Sequence, residues 1–174
     1  MRRHRNRFAV IVLLSGLTLG AHAANRYAAG KRGLETVARA FLDKGADLRR
    51  LTLALKPKPG DYDAIFRDKE SAAKARAYGE RVWRQVGRQP IDPRAKYDHV
   101  LVFEATPEDL KAGRGDAPHF AGGMRRIAER LRPGIKVYSF KFVRRGESLG
   151  YRFDGVFYLA GRWVLLPKPW RAFH

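Results

Sequence analysis

The last forty residues restrict the fold more than any other part of the chain. Ile135 to Val143, Leu149 to Leu159 and Arg162 to Leu166 are runs rich in apolar and aromatic residues, parted only by Arg144 to Ser148 and by Ala160-Gly161. Connections that short join neighbouring antiparallel strands, so the three runs read as a meander. Side chains on a strand alternate between its two faces. Tyr138, Phe140 and Phe142 therefore share a face, and Tyr151, Phe153, Phe157 and Leu159 share one on the next strand. Both aromatic rows need helices to cover them. Asp154-Gly155 interrupts the middle run and reads as the place for a β-bulge.

The helices come from upstream. Leu34, Val37, Ala38, Phe41 and Leu42 recur at the spacing of one helix face, which predicts a helix continuing towards Leu48 or Leu51. Lys56-Pro57-Lys58-Pro59-Gly60 stops regular structure, and Asp61 can cap a short turn through Tyr62, Ile65 and Phe66. Lys69 to Gln85 is the clearest helix, with Ala75, Tyr78, Val82, Trp83 and Val86 on one side. Gln89 to Lys96, holding Pro90 and Pro93, is a linker to a first strand over His99 to Ala105, where Val100, Val102 and Glu104 share a face. Thr106-Pro107 ends that strand, and a glycine-rich loop from Gly113 to Gly123 follows. Met124, Ile127, Ala128 and Leu131 then mark a short helix closed by Pro133-Gly134. Pro167 to Trp170 reads as an extended tail with Trp170 tucked onto the body. The expected class is α+β, with N-terminal helices packed on one face of a curved, mostly antiparallel sheet. Strands and helices do not alternate, and the glycines match no dinucleotide fingerprint, which excludes a Rossmann-type reading.

Ahead of this domain, residues 1–23 read as a cleavable export signal, leaving residues 24–174 as a single α+β domain. Arg2, Arg3, Arg5 and Arg7 form a basic head, Phe8 to Leu19 an apolar run, and Ala21-His22-Ala23 a small-residue cleavage site. The run is short of the roughly 20 apolar residues that a membrane span requires. The expected product is periplasmic or secreted, with no transmembrane segment after cleavage. The chain has no cysteine, so thiol nucleophiles, thiolate metal sites and thiol-linked lipid anchors are excluded. Its formal net charge is +19, and removal of the leader's four arginines leaves +15. A field of that sign favours anionic partners, such as an anionic envelope component. The basic residues are dispersed in pairs, and with export this disfavours nucleic acid as a partner.

Few groups in the sequence carry recognisable chemistry. His99, His119 and His174 have no helix-face spacing, and neither a metal nor a cofactor is expected. Glu104 and Asp154 are the candidate catalytic residues, because each lies inside an apolar strand where an ionised carboxylate must be paired, exposed or shifted in pKa. The plainer expectation is that both are bound to nearby arginines, Arg152 among them. Tyr138, Phe140, Tyr151, Phe153 and Trp163 are the candidate ligand-binding aromatics. Arg125 and Arg126, beside the helix start at Met124, are the candidate anion site.

Phe140-Lys141-Phe142-Val143, Gly150-Tyr151-Arg152-Phe153-Asp154-Gly155, Gly161-Arg162-Trp163 and Pro167-Lys168-Pro169-Trp170-Arg171 resemble segments of an uncharacterised family of exported bacterial proteins. More distantly, helices followed by a meander with a Gly-Arg-Trp strand resemble the cystatin-like cone of the nuclear transport factor two-like and SnoaL-like proteins. That resemblance implies a pocket but no particular function, because the fold hosts isomerases, cyclases and noncatalytic binding domains. The expected function is a noncatalytic domain that binds a small ligand or a partner. One alternative is a pocket enzyme of the isomerase, cyclase or hydrolase class using Glu104 or Asp154 as general acid or base. The other is a polyanion-binding envelope protein. The leader yields the first prediction: the exported protein begins at Ala24, and an N-terminus at Met1 on the exported material would remove the cleavage assignment.

Overall fold

The computed structural model describes residues 28–86 and 88–174; the expected leader at residues 1–23 lies outside them. Helices α1 (Gly30–Ala40), α2 (Leu48–Ala54), α3 (Pro59–Ile65) and α4 (Lys69–Val86) lead into strand β1 (His99–Ala105). Helices α5 (Pro107–Ala112) and α6 (Gly122–Ile127) follow, and then β2 (Val137–Val143), β3 (Gly150–Leu159) and β4 (Arg162–Leu165). The strands pair antiparallel in the order β1-β2-β3-β4. The fold class is α+β, with helices packed against the sheet.

Local chemistry explains where three elements depart from expectation. The helix begun at Gly30 does not run on to Leu51, because Asp47 accepts a 3.0 Å hydrogen bond from the Arg50 amide and starts α2 afresh. The segment after β1 forms a helix, α5, before the glycine-rich loop. Thr106 caps the Asp109 amide while the Asp109 carboxylate binds the Thr106 amide at 3.2 Å, with Pro107 in the first helical position. The C-terminal tail curls into a 3-10 turn over Pro169–Phe173 instead of staying extended. Trp170 does lie on the body: a Cβ added to Gly123 would sit 2.3 Å from its indole ring.

The sheet is buried on both faces. On one, Val100, Tyr138, Phe140, Phe142, Val156 and Trp163 pack against Leu34, Val37 and Phe41 of α1 and its end, and against Leu48 and Leu55 around α2. On the other, Ala105, Val137, Phe157 and Val164 pack against Leu110 of α5, Met124 and Ile127 of α6, and Ile65 and Phe66 after α3. The N-terminal pair α1 and α2 thus covers one face as expected, and the short helices and C-terminal turn form a third layer. The outer edge of β4 is closed as well. The Leu165 amide donates to the Leu55 carbonyl at 2.9 Å, and the Trp83 indole donates to the Leu165 carbonyl at 3.3 Å.

The bulge expected at Asp154-Gly155 is present, and it overturns the expected face assignment on β3. Tyr138 pairs with Val156, but Ser139 pairs with Asp154, so Gly155 is the extra residue. One extra residue exchanges the faces beyond it. Tyr151 and Phe153 lie on the α1 face with Val156, whereas Phe157 and Leu159 lie on the α6 face. Gly155 has φ +80, and an added Cβ would approach the Leu166 carbonyl oxygen to 2.5 Å. Gly155→Ala is therefore expected to cost about 2–3 kcal/mol in urea unfolding; a cost below about 0.5 kcal/mol would mean that the bulge does not need glycine.

Candidate ligand-binding cleft

The five expected ligand-binding aromatics come together on one face, but mainly as core. Tyr138 stands edge-on to Trp163 at 4.9 Å between ring centroids, and Phe140 stacks on Phe153 at 4.9 Å. Tyr138, Phe140 and Trp163 are at most 3% exposed, leaving no room for a ligand among them. Phe153 and its 4.5 Å neighbour Tyr151 are different, because both reach the wall of a cleft of about 320 Å³. The expected ligand-binding set therefore divides into a three-residue core and a two-residue wall.

The cleft forms where β4 leaves β3 unpaired. Strand β4 pairs with β3 only over Val156 to Leu159, so Gly150 to Asp154 have a strand neighbour on the β2 side alone. Val86 at the end of α4 and Gln89 to Ile91 after it form one wall, and Leu165, Pro167 and Trp170 form another. Two close approaches hold the tail in place. The Leu166 amide donates to the Gly155 carbonyl at 2.8 Å, and Trp170 rests on Gly123. Between those anchors, exposed Lys168 is held in the left-handed region at φ 48, ψ 53, immediately before Pro169. A lysine preceding a proline rarely adopts that conformation, which costs roughly 1–3 kcal/mol.

Asp154 lines the cleft and is only 6% exposed. Its Oδ2 lies 3.1 Å from Arg152 Nε, and its Oδ1 accepts from the Ala121 amide at 3.4 Å. Burial pushes the Asp154 carboxyl above the ordinary carboxylate range, opposed by the Arg152 charge and, more weakly, by Ser139 and the Ala121 amide. Ser139 is the ladder partner of Asp154 and fully buried; its hydroxyl favours the ionised carboxylate without making a hydrogen bond of normal geometry. Arg152 also donates to the His119 carbonyl at 3.3 Å. The Arg152–Asp154 pair thus joins β3 to the segment ahead of α6, a structural use of both charges.

Glu104 stands apart from this cleft. Strand β2 lies between it and Asp154, and the two carboxylates point to opposite faces. Glu104 pairs with Lys136 at 2.7 Å. It also acts on Tyr138, whose phenol is pushed up to about 12 by burial first and by the Glu104 charge second. Arg125 and Arg126 are exposed in the last turn of α6, the wrong end for an anion held on a helix start. The start of that helix is already occupied from within, by the Asp154 carboxylate at Ala121 and by Trp170 against Gly123. Among the described residues, no group of three or more His, Asp or Glu side chains is placed to hold a metal ion. No helix among them is long and apolar enough to cross a membrane.

Tyr151, Phe153 and Asp154 are site residues already expected from the sequence, with Arg152 as a carboxylate partner, whereas Val86, Ile91, Pro167 and Lys168 have no expected site role. Of those four, Lys168 carried the one available signal, a cation between two prolines.

The raised pKa of Asp154 fixes the sign of a pH effect. A carboxyl whose folded pKa exceeds its unfolded value binds its proton more tightly when folded, so its contribution to stability declines as pH rises from the unfolded pKa through the folded one. Asp154→Asn removes that dependence. The stability of the wild type relative to Asp154→Asn is expected to fall as pH is raised from 3.8, the ordinary carboxylate value, towards neutrality. Urea unfolding of both proteins across that range checks it, and a difference that grows with pH would reverse the assignment. Comparison with known protein families, with characterised proteins and with solved structures gives no match to this chain, so the cleft itself carries the functional argument.

Proposed function

We propose that this chain is a noncatalytic binding domain of the periplasm or extracellular space that holds a small amphipathic anion in the cleft at the open edge of β3. The observation that carries this reading is an apolar cleft with a strained lysine at its mouth. Val86, Ile91, Phe153, Leu165 and Trp170 supply apolar contact, and about 320 Å³ matches the small end of ligand sites. Lys168 supplies the positive charge, and backbone strain is retained where the surrounding structure enforces a functional geometry. Arg152 lines the same cleft, but its charge is balanced by Asp154. An apolar chain with one anionic head satisfies both halves of such a site.

The carboxylates favour binding over catalysis. Asp154 has both oxygens engaged, and Glu104 is on the other face of the sheet. A general base needs a lone pair aimed at substrate, and the two oxygens of Asp154 are turned towards Arg152 and the Ala121 amide. The other titratable groups of the cleft are Tyr151, Arg152 and Lys168. Burial raises the Tyr151 pKa, so its phenol stays a hydrogen-bond donor at neutral pH.

Decanoate is a suitable probe, with decanol and decyltrimethylammonium as neutral and cationic controls. Decanoate is expected to bind saturably and to perturb the fluorescence of Trp170, a signal that Trp170→Phe removes. Lys168→Gly is expected to weaken decanoate roughly fivefold and to stabilise the free protein by about 1 kcal/mol through relief of strain. Equal affinity for decyltrimethylammonium, or no saturable binding of decanoate, would refute the proposal.

A further inference from the structure

We infer that the tip of the β2–β3 hairpin docks on an anionic lipid surface. Two of the three large apolar side chains exposed among the described residues lie at this hairpin, Leu149 at 82% and Tyr151 at 46%. Scattered apolar residues are ordinary on a protein surface, but these two are two positions apart and flanked by cations. Arg144 and Arg145 precede them in the turn, and Lys96 lies beside it, all three exposed. The nearby acids are Glu147 in the turn, Asp98, whose Oδ1 is engaged by the Arg145 amide at 2.8 Å, and Asp92 beside Gly150 and Tyr151, whose charge is paired with Arg94 at 3.0 Å.

The tip is also held in shape. The Glu147 amide donates to the Arg144 carbonyl at 2.9 Å, and Lys141 Nζ donates to the Ser148 carbonyl at 2.9 Å. Arg144 Nε reaches the Lys96 carbonyl at 3.4 Å. Leu149 is thereby presented outward without a loop to reorganise, which lowers the entropic cost of insertion. An aliphatic side chain projecting beyond a ring and a set of arginines matches the layering of a bilayer surface, with hydrocarbon below and anionic headgroups around it. Charge complementarity selects this partner over a neutral surface, since the chain without its four leader arginines carries +15.

This inference does not rest on the cleft being occupied. The test is co-sedimentation of the exported protein at low salt with vesicles of phosphatidylglycerol and phosphatidylcholine, against vesicles of phosphatidylcholine alone. Partition is expected onto the anionic vesicles. Leu149→Ser is expected to weaken it about tenfold, and the double change Arg144→Gln with Arg145→Gln by at least tenfold. Leu149→Trp adds a reporter at the tip, whose emission is expected to shift to the blue on anionic vesicles only. Decanoate binding is expected to be unchanged in Leu149→Ser, so failure of the cleft reading and failure of this one are separately visible. The inference is overturned by equal partition onto phosphatidylcholine, by full retention in Leu149→Ser, by no blue shift in Leu149→Trp, or by self-association that Leu149→Ser abolishes.

Discussion

The extra residue at Gly155 decides how this sheet is filled. With regular alternation, β3 would send Tyr151, Phe153, Phe157 and Leu159 to a single face and leave Asp154, Val156 and Tyr158 on the other. The bulge moves the crossover into the middle of the strand. Phe157 then enters the core beneath α6, fully buried with Met124, Ile127, Leu131 and Val137, while Val156 joins Tyr138 and Trp163 beneath α1 and α2. A fully buried Phe contributes about 1.5–3 kcal/mol relative to an exposed one, so both cores depend on the same insertion. It also leaves Asp154 on the α6 face, where its carboxylate meets the Ala121 amide just ahead of the helix.

An open sheet of four strands has two edges to protect, and this one treats the β4 edge with care. Leu165 has its amide taken by the Leu55 carbonyl and its carbonyl by Trp83, so a polar backbone edge becomes part of the core. Arg162 adds a largely buried ion pair to Asp61, which itself accepts from the Lys58 amide at the start of α3. Such a pair contributes little net stability once desolvation is counted, but it fixes the position of α3 against β4. Because β4 is short, the protection stops at Leu165. The cleft occupies the length of β3 that β4 fails to cover.

The strands, the long helix α4 and the bulge were legible because each is a local pattern: a period of two, a period of 3.6, and Asp-Gly within an apolar run. The break between α1 and α2 was missed because apolar spacing continues through it, and the stronger signal is a single capping side chain, Asp47. Helix α5 lies outside the sequence expectation although Thr106-Pro107-Glu108-Asp109 spells out a capping box, because a proline after a strand is equally a stop signal. The Asp-Gly pair marks the place of the bulge, but strict alternation through Gly155 puts Phe157 and Leu159 on the wrong face. For the candidate site, Tyr151, Phe153 and Asp154 were legible from β3 alone. Val86, Ile91 and Lys168 were not, since they meet only after long-range packing that no periodicity relates.

The position of Lys168 follows from those same packing constraints. The tail leaves β4 at Leu165 and is fastened one residue later, where Leu166 bonds to the Gly155 carbonyl. It is fastened again at Trp170, whose ring occupies the space that a side chain at Gly123 would take. Pro169 lies in the intervening stretch against Gly155, about 3.0 Å from where a Cβ would be. Two glycines thus form the sockets that seat the tail, and the chain between them is short, with proline on both sides of the lysine. Such a segment has few ways to reverse direction, and a left-handed Lys168 is the one adopted. The strain at the cleft mouth is therefore supported by core packing on both sides of it, which is why a flexible, charged side chain has a fixed point of departure.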